Sequence, residues 1–263
     1  MIIRASLIIL AFFVIISCND NDNPVEVNGG SGRFKLYLGD SPASLDSVVV
    51  CISRVEIHKN GSDSTSGWSV INDSLRYFDL LQLMNGASVV LGDTSLSEGK
   101  YTQIRLIVED GSYVIDNGIR HDLTIPSGYQ TGIKLNHSFD VEKDKLYELL
   151  LDFNVEKSIL ITGNGKYKLK PTIRVIPLII SGSISGKILP LDADPVIQTV
   201  SGTDTISTFT NEDGFFKLVG VLAGNYNVSI MPQNSSYKDS TITGVEVNQN
   251  QDTDLGTITL ESN

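Results

Sequence analysis

The chain has 263 residues, of which 41% are hydrophobic and 19% are charged, and its formal net charge is −11. An apolar fraction of this size can form hydrophobic cores, and the length predicts one or two domains. The acidity argues against nucleic-acid binding, because neutralising phosphates needs a basic face, and against electrostatic binding to anionic lipid.

The N-terminal segment 1–17 has the composition of a signal peptide. Arg4 is its only charged side chain, and an uncharged, mostly apolar run from Ala5 to Ile16 follows it. Such a run is too short to span a bilayer, which takes about 20 residues, but it suits the apolar region of a signal peptide. The sequence therefore predicts export, with residues 1–17 removed from the mature chain.

A cysteine ends the apolar run, in the segment Ile15-Ile16-Ser17-Cys18. The aliphatic residue three positions before the cysteine and the small residue directly before it resemble a bacterial lipobox. The resemblance implies cleavage before Cys18, lipidation of its thiol and amine, and an outer-membrane lipoprotein of the cell envelope. A multiply acylated cysteine supplies the two or more acyl chains that stable anchoring needs. The alternative is an ordinary secretory signal with an incidental cysteine.

Residues 18–30 are rich in Asn, Asp and Gly, and this composition predicts a solvated, flexible tether. Asp20 and Asp22 resemble the surface-export signal of lipoproteins in the Bacteroides group. The resemblance implies display on the outer face of the outer membrane. A plain hydrophilic spacer accounts for the same residues equally well.

Strand patterns dominate the rest of the chain. Apolar and polar residues alternate over residues 34–38, 102–108 and 146–155, and period-two alternation is typical of half-buried strands. The pairs Asn117-Gly118 and Asn164-Gly165 lie between apolar runs and predict tight hairpins, because both positions of such a turn favour positive φ.

A break around residues 177–182 divides these strands into two groups. The predicted helical structure is confined to one turn within residues 77–84. The expected fold is therefore all-β, with two β-sandwich domains in tandem over residues 31–178 and 181–261, after the signal peptide and the tether.

Cys51 is the only cysteine left with a free thiol once Cys18 is lipidated, so it has no partner for an internal disulfide. It lies in the apolar run 48–52. We expect a buried, inert thiol rather than a nucleophile, since nothing near it in the sequence suggests an activated site.

Residues 210–218 read Thr-Asn-Glu-Asp-Gly-Phe-Phe-Lys-Leu, and four further residues continue the pattern: Gly220, Gly224, Tyr226 and Val228. The pattern resembles the carboxypeptidase regulatory-like domain, whose core reads T-x-x-x-G-x-F-x-L and then G-x-Y-x-V. The resemblance implies a transthyretin-like, Ig-type sandwich, grouped with carbohydrate-binding-like folds and normally non-catalytic. Phe215 or Phe216 is expected to fill its core. The segment 232–234 departs from the family pattern, where a glycine is usual.

Five segments in the first group follow one another in order: residues 96–106, 123–128, 132–135, 151–159 and 166–171. Their residues and spacing resemble a bacterial family catalogued as domain of unknown function 4382, over nearly all of residues 31–177. The family implies exported lipoproteins with a β-sandwich fold and no known role.

Arg105, Asp152 and Lys157 form the polar set that we single out as a candidate ligand-binding site. They are predicted on the non-core phase of neighbouring strands. One account is a cross-strand ladder of ion pairs. The other is a polar groove between residues 125–128, which include Ser127, and the strand that carries Asp152.

Trp68 is the only tryptophan, and it follows a polar loop. An exposed ring there could stack on a sugar, whereas core packing or loop anchoring would bury it. His58, His121 and His137 are too scattered to show metal-ligand spacing, so we expect no metal site. No nucleophile elbow, phosphate-binding loop or zinc motif occurs, so no catalytic residue and no cofactor are predicted.

These observations favour a non-catalytic envelope lipoprotein that presents β-sandwich modules for binding or assembly at the cell surface. A glycan or an envelope protein would be its partner, besides the membrane that holds the lipid on Cys18. The alternatives are a polysaccharide-related hydrolase and a structural spacer within an envelope complex.

Overall fold

The computed structural model describes residues 29–41, 43–63, 66–125 and 132–263. The predicted signal peptide (residues 1–17), Cys18 and most of the predicted tether lie outside these residues. Within them the chain forms twenty strands: β1 (Ser31–Ser41), β2 (Ser47–Lys59), β3 (Trp68–Asn72), β4 (Arg76–Asp79), β5 (Val89–Ser97), β6 (Gly99–Val108), β7 (Tyr113–Asp116), β8 (Ile119–Thr124), β9 (Ile133–Val141), β10 (Leu146–Asn154), β11 (Ile159–Ile161), β12 (Tyr167–Leu169), β13 (Ile173–Pro177), β14 (Ser181–Leu189), β15 (Pro195–Ser201), β16 (Asp204–Phe209), β17 (Phe215–Leu222), β18 (Gly224–Pro232), β19 (Ser240–Val247) and β20 (Asp252–Thr259).

Helical structure in the described ranges is limited to single turns. One α-helical turn, α1, spans Val155–Ser158, and short 3-10 helices span Leu80–Leu83, Leu178–Ile180 and Leu191–Ala193. No helix in these ranges is long and apolar enough to cross a membrane. The 3-10 turn at Leu80–Leu83 confirms the helical turn predicted within residues 77–84.

The strand predicted over residues 146–155 ends one residue early. The side-chain oxygen of Asn154 accepts a hydrogen bond from the backbone N–H of Lys157 and so caps α1. Val155 therefore starts the helical turn instead of continuing β10, although its side chain remains buried.

Two sheets form the first sandwich. Sheet 1 has the strand order β13-β10-β1-β5. Sheet 2 contains nine strands: seven follow the order β11-β12-β8-β7-β2-β6-β9, and the other two, β3 and β4, pair with β2. β1 and β10 run parallel although they are far apart in sequence, with Leu36 opposite Leu149. Because side chains alternate between the two faces of β1, Phe34, Leu36 and Leu38 all point into the same core.

Aromatic rings join the two sheets of the first sandwich. Phe34 of sheet 1 stacks on Phe139 of sheet 2 with ring centroids 5.2 Å apart, and Tyr147 stacks on Phe139 at 4.9 Å. Tyr101 stacks on the same ring at 5.4 Å. Burial of such rings supplies much of the packing energy of a small core.

Both predicted hairpins form where the Asn-Gly pairs lie. Asn117 and Gly118 have φ of 49° and 74° and join β7 to β8. Residues 162–166 join β11 to β12, with Gly165 at φ 73°. These turns confirm the local prediction.

The second sandwich consists of sheet 3, with strand order β17-β14-β20, and sheet 4, with strand order β16-β15-β18-β19. Its core includes Ile184 and Phe216 from sheet 3 and Ile197 and Val228 from sheet 4. Phe216 is fully buried, whereas Phe215 is 39% exposed, so the ring of Phe216 fills the core. The predicted all-β fold of two sandwiches is confirmed.

The outer face of sheet 1 packs against the second sandwich. Ile176 of β13 fits against Gly220 of β17, where a Cβ would lie 2.5 Å from the Ile176 Cδ1. Asn85, in the loop before β5, accepts hydrogen bonds from the Thr208 hydroxyl at 2.7 Å and from the Lys217 N–H at 3.3 Å. These contacts define the space between the two sandwiches.

Candidate functional site

A groove runs between the sandwiches and consists of three adjoining cavities of about 290, 220 and 470 Å³, which we name A, B and C. Asp152 lines both A and B, Thr205 lines both B and C, and Ser207 lines both A and C. Each pair of cavities shares a lining residue, so the three cavities adjoin, and we call them together the interdomain groove. Volumes of this order suit small ligands or parts of longer ones.

The strand β16 faces the interdomain groove with its edge. Residues 203–205 line cavity B, and residues 206–208 line cavity A. Successive residues of a strand point to opposite faces, so consecutive residues line one cavity only where the cavity follows the strand edge. Among the described strands, β16 pairs with β15 alone and is the last strand of sheet 4.

Cavity A has mostly aliphatic walls with a few polar groups. Its aliphatic residues are Leu83, Leu150, Leu178, Ile206 and Val219. Tyr37, Asp40 and Lys217 add a phenol, a carboxylate and an ammonium group. A cavity of this kind suits an apolar group that carries a polar end.

Lys217 reaches cavity A as one half of an ion pair. Its Nζ lies 3.4 Å from Oδ1 of Asp252, and the hydroxyls of Ser183 and Ser185 donate hydrogen bonds to the same carboxylate. Burial raises the pKa of Asp252, but the two hydroxyl donors and the Lys217 charge outweigh burial, so this pKa lies below its usual value. The cation is therefore held in place by sheet 3.

Cavities B and C are more polar. The amides in their walls are Asn154, Gln198 and Gln233, and the hydroxyls are Ser44, Thr172, Thr203, Thr205 and Ser207. The charged residues are Asp152, Glu156, Asp204, Lys157 and Arg174. Charges of both signs nearly balance, so these walls suit a neutral polar ligand better than a polyanion.

Asp152, which the sequence singled out, lies in this groove and is paired within sheet 1. Its Oδ2 accepts hydrogen bonds from Nη2 of Arg174 at 2.7 Å and from Nε at 3.0 Å. The two residues are directly opposite each other on β10 and β13. This pairing agrees with the prediction that Asp152 takes part in a cross-strand ion pair.

Arg105 and Trp68 come together at a second place, on the outer face of sheet 2. The guanidinium carbon of Arg105 lies 4.0 Å from the centre of the Trp68 ring. The same guanidinium donates to the carboxylate of Glu56, whose side chain is 7% exposed. Trp68 is half-buried under this pairing, and its ring edge lies against His58 at a centroid distance of 5.1 Å.

The predicted proximity of Arg105 to Asp152 is wrong, because their strands belong to different sheets. β6 pairs with β2 and β9 in sheet 2, whereas β10 pairs with β1 and β13 in sheet 1. Lys157 does lie near Asp152, in the wall of cavity B. Ser127 and its neighbours, the other half of the predicted groove, lie outside the described residues.

Cys51 is fully buried, but it lies on the phase of β2 opposite to Val50 and Ile52, which belong to the first core. Its burial raises the pKa of the thiol, and a hydrogen bond with Tyr77 opposes this only in part. In the described part of the chain no group of three or more His, Cys, Asp or Glu residues could hold a metal ion.

Sequence reasoning missed the contribution of β16 and of Arg174 to the groove. Residues 204–209 alternate like any other strand, and edge position depends on which strands pair with it. Arg174 reaches Asp152 through the register of β13 against β10, which the sequence does not report.

The protein-family comparison matches residues 31–171 to the family described as domain of unknown function (DUF4382). The search of curated proteins found no match.

Several solved structures also resemble the chain. A type II cohesin–X-dockerin complex of Acetivibrio cellulolyticus shares 26% identity over 31% of this chain, with a TM-score of 0.25, and this chain spans 58% of that chain. The minor pilin GBS52 of Streptococcus agalactiae shares 11% identity over 88% of this chain and 96% of its own, with a TM-score of 0.25. A variant of the shaft pilin SpaA of Lactobacillus rhamnosus GG shares 7% identity over 90% and 98%, with a TM-score of 0.27. TM-scores this low carry no argument about function.

Proposed function

We propose a function from the premise that this chain belongs to the family described as domain of unknown function (DUF4382). It is a non-catalytic binding protein of the cell envelope, and its ligand, a glycan or an envelope protein, occupies the interdomain groove. A lipid on Cys18 holds it to the outer membrane, with the tether 18–30 between the lipid and the first sandwich.

The observation that carries this proposal is that the three cavities adjoin between the sandwiches. Cavities A, B and C share side chains from both sandwiches, among them Asp152 and Ser207. A ligand in the groove would touch both modules at once, which gives a reason for two docked sandwiches in one chain.

The groove chemistry supports binding rather than hydrolysis. A hydrolase of glycosides needs two carboxyl groups placed across the scissile bond. Asp152 lies in the groove but accepts two hydrogen bonds from Arg174. Glu148, on the same strand, does not line the three cavities and accepts a hydrogen bond from the Tyr37 hydroxyl at 2.8 Å. The two carboxylates are therefore not placed across the groove from each other.

The location rests on the N-terminal segment. Ile15-Ile16-Ser17-Cys18 matches a lipobox, and Asp20 and Asp22 follow it closely. Labelling cells with a radioactive fatty acid tests the anchor: we expect incorporation into the wild-type chain and none into Cys18→Ser. Surface display is tested by protease accessibility in intact cells.

The second sandwich supports an accessory role. Residues 210–218 and the residues that follow match the carboxypeptidase regulatory-like pattern. We assign this sandwich to that domain type, which is normally non-catalytic.

A glycan array and a pull-down from solubilised envelope test the function. We expect saturable binding without turnover, which Ser207→Arg abolishes because Ser207 lines cavities A and C and a long charged side chain there obstructs the groove. Thr241→Arg, on an exposed position of β19, is the matched control. Product release that Asp152→Ala abolishes would establish the hydrolase instead, and a stoichiometric envelope partner that Ser207→Arg still binds would establish the spacer.

A further inference from the structure

Within the proposed binding function, on which this inference rests, we propose that the ligand is an extended peptide segment of a partner protein. The segment adds as a strand to the open edge of β16, inside the interdomain groove. The inference thus chooses a protein partner and specifies how it binds.

The open edge of β16 is the first reason. Residues 203–208 line cavities A and B consecutively, as residues do along a strand edge. Among the described strands none pairs with that edge. An unpaired edge presents a row of N–H and C=O groups that templates a further strand, and addition of a peptide strand is a common mode of recognition.

A second strand edge faces the same space. Cavity B is lined by residues 172–174, again three in succession, and β13 is the last strand of sheet 1. An extended segment in cavity B therefore meets backbone groups of both sandwiches, one edge on each side. Glycan hydroxyls can also bond to backbone groups, but an extended peptide repeats its own donors and acceptors at the spacing of a strand edge.

The walls of the groove specify the side chains of this peptide. Alternate side chains of an extended peptide point in opposite directions. Cavity A, with Leu150, Ile206 and Val219, accepts an apolar side chain, while cavities B and C offer amides and hydroxyls. β16 has six residues, so about 20 Å of a peptide, or about six residues, can pair with it.

The charges of the groove disfavour acidic peptides. Asp152 is paired with Arg174, and Lys217 is paired with Asp252. The walls also contain three other carboxylates, Asp40, Glu156 and Asp204, and one other ammonium group, Lys157. A peptide with alternating apolar and polar residues and a neutral or weakly positive charge is complementary to this acidic excess.

The alternative is that the first sandwich shields the edge of β16 and prevents it from pairing with other molecules. In that case the groove would bind no peptide. The test must therefore detect backbone pairing and not adhesion alone.

A phage-displayed library of random decapeptides, selected on the immobilised full chain, supplies the probe. Phage are first depleted on Ser207→Arg, so that the selected peptides depend on the groove. We expect enrichment of sequences with alternating apolar residues. The synthetic peptide should bind Ser207→Arg at least tenfold more weakly than the wild type and Thr241→Arg within twofold. No enrichment over Ser207→Arg would overturn the inference.

Backbone pairing is tested with two N-methylated forms of the selected peptide, each methylated at one set of alternate residues. Methylation of the N–H groups that face β16 should cost at least tenfold in affinity, and methylation of the other set should cost less, because β13 meets the segment in cavity B alone. Hydrogen exchange should slow at alternate amides of residues 204–209 when the peptide binds. Equal binding of all three peptides, or unchanged exchange in β16, would contradict strand addition.

The outcome separates the two proposals. Glycan binding that Ser207→Arg abolishes, with no peptide selected, would leave the proposed function standing and remove this inference. If the wild-type chain binds neither a glycan nor a selected peptide, both the proposed function and this inference are overturned.

Discussion

Asn85 of the first sandwich accepts a hydrogen bond from the hydroxyl of Thr208 in the second, over 2.7 Å. Its backbone has φ of 55°, a conformation that asparagine adopts more readily than most residues. The same side-chain oxygen also accepts from the backbone N–H of Lys217. One loop residue thus links two strands of the other sandwich beside cavity A.

Replacing Asn85 is expected to weaken the docking of the sandwiches. Asn85→Gly keeps the positive φ but loses two hydrogen bonds, at a cost of about 1–3 kcal/mol of unfolding free energy. Asn85→Ala should cost about 1–2 kcal/mol more, because a Cβ disfavours that φ. Urea unfolding of the full chain measures both. The control is Asn117→Gly, at φ 49° in an exposed hairpin, which should change stability by less than about 0.5 kcal/mol. An equal effect of the two glycine variants would show that Asn85 does not join the sandwiches.

Gly220→Ala tests the packing of Ile176 against β17. A Cβ on Gly220 would lie 2.5 Å from Cδ1 of Ile176, whereas one on Gly244 meets nothing within 4 Å. The two glycines have nearly the same φ, 73° and 71°, so they share the backbone penalty of about 1–2 kcal/mol. Gly220→Ala should therefore destabilise by about 1–3 kcal/mol more than Gly244→Ala.

Shortening the opposing side chain provides a check on that reading. Ile176→Val removes the Cδ1 methyl, so combining it with Gly220→Ala should recover part of the loss. If the double variant is as unstable as the sum of the single variants, the clash is not the cause.

The Glu56–Arg105 pair should contribute more stability than the Arg33–Asp93 pair. The side chains of the first pair are 7% and 21% exposed, and those of the second are 32% for Asp93 and 61% for Arg33. A double-mutant cycle to alanine should give about 1.5–3 kcal/mol of coupling for Glu56–Arg105. Solvent screening should leave a much smaller coupling for the exposed pair. Equal coupling in the two cycles would contradict the role of burial on the outer face of sheet 2.

His137 should make stability depend on pH. Burial lowers the pKa of His137 in the folded chain, so the unfolded chain binds a proton at a higher pH, near 6.5. Since the unfolded state then holds more protons, the stability that neutral His137 contributes is present above about pH 6.5 and is lost as the pH falls toward the folded pKa. The loss has a slope of up to about 1.4 kcal/mol per pH unit.

Urea unfolding of the wild type and of His137→Gln between pH 5 and 8 measures this term. Glutamine does not titrate, so the stability difference between the two chains should be constant above neutrality and should shift against the wild type at lower pH. A difference that stays constant over the whole range would rule out His137 as the source.

Local patterns were sufficient to predict much of the secondary structure. The alternation predicted over residues 146–155 is present in β10, where Leu149, Leu151 and Phe153 are buried in the first core. Leu150 lies on the opposite phase, yet it is only 7% exposed because the second sandwich covers that face. The alternation of one strand cannot report a partner that belongs to another domain.

For the candidate site residues, the sequence indicated their chemistry but not which of them come into contact. Trp68 and Arg105 were each selected for their chemistry, and the structure brings them within 4.0 Å because β2 lies between their strands in sheet 2. Asp152 was expected beside Arg105 but pairs with Arg174 instead. Which side chains meet depends on the order of strands in a sheet, and that order is set by contacts between distant segments.

The sequence by itself determined the all-β class, the Asn-Gly hairpins and the inward phase of the strands, because these depend on backbone preferences and alternation over a few residues. Only the tertiary structure decided that β1 pairs in parallel with β10, that β16 lies at a sheet edge and that a groove separates the sandwiches. The physical reason is that strand pairing and domain docking join residues that are far apart in sequence, through hydrogen bonds that any strand can offer.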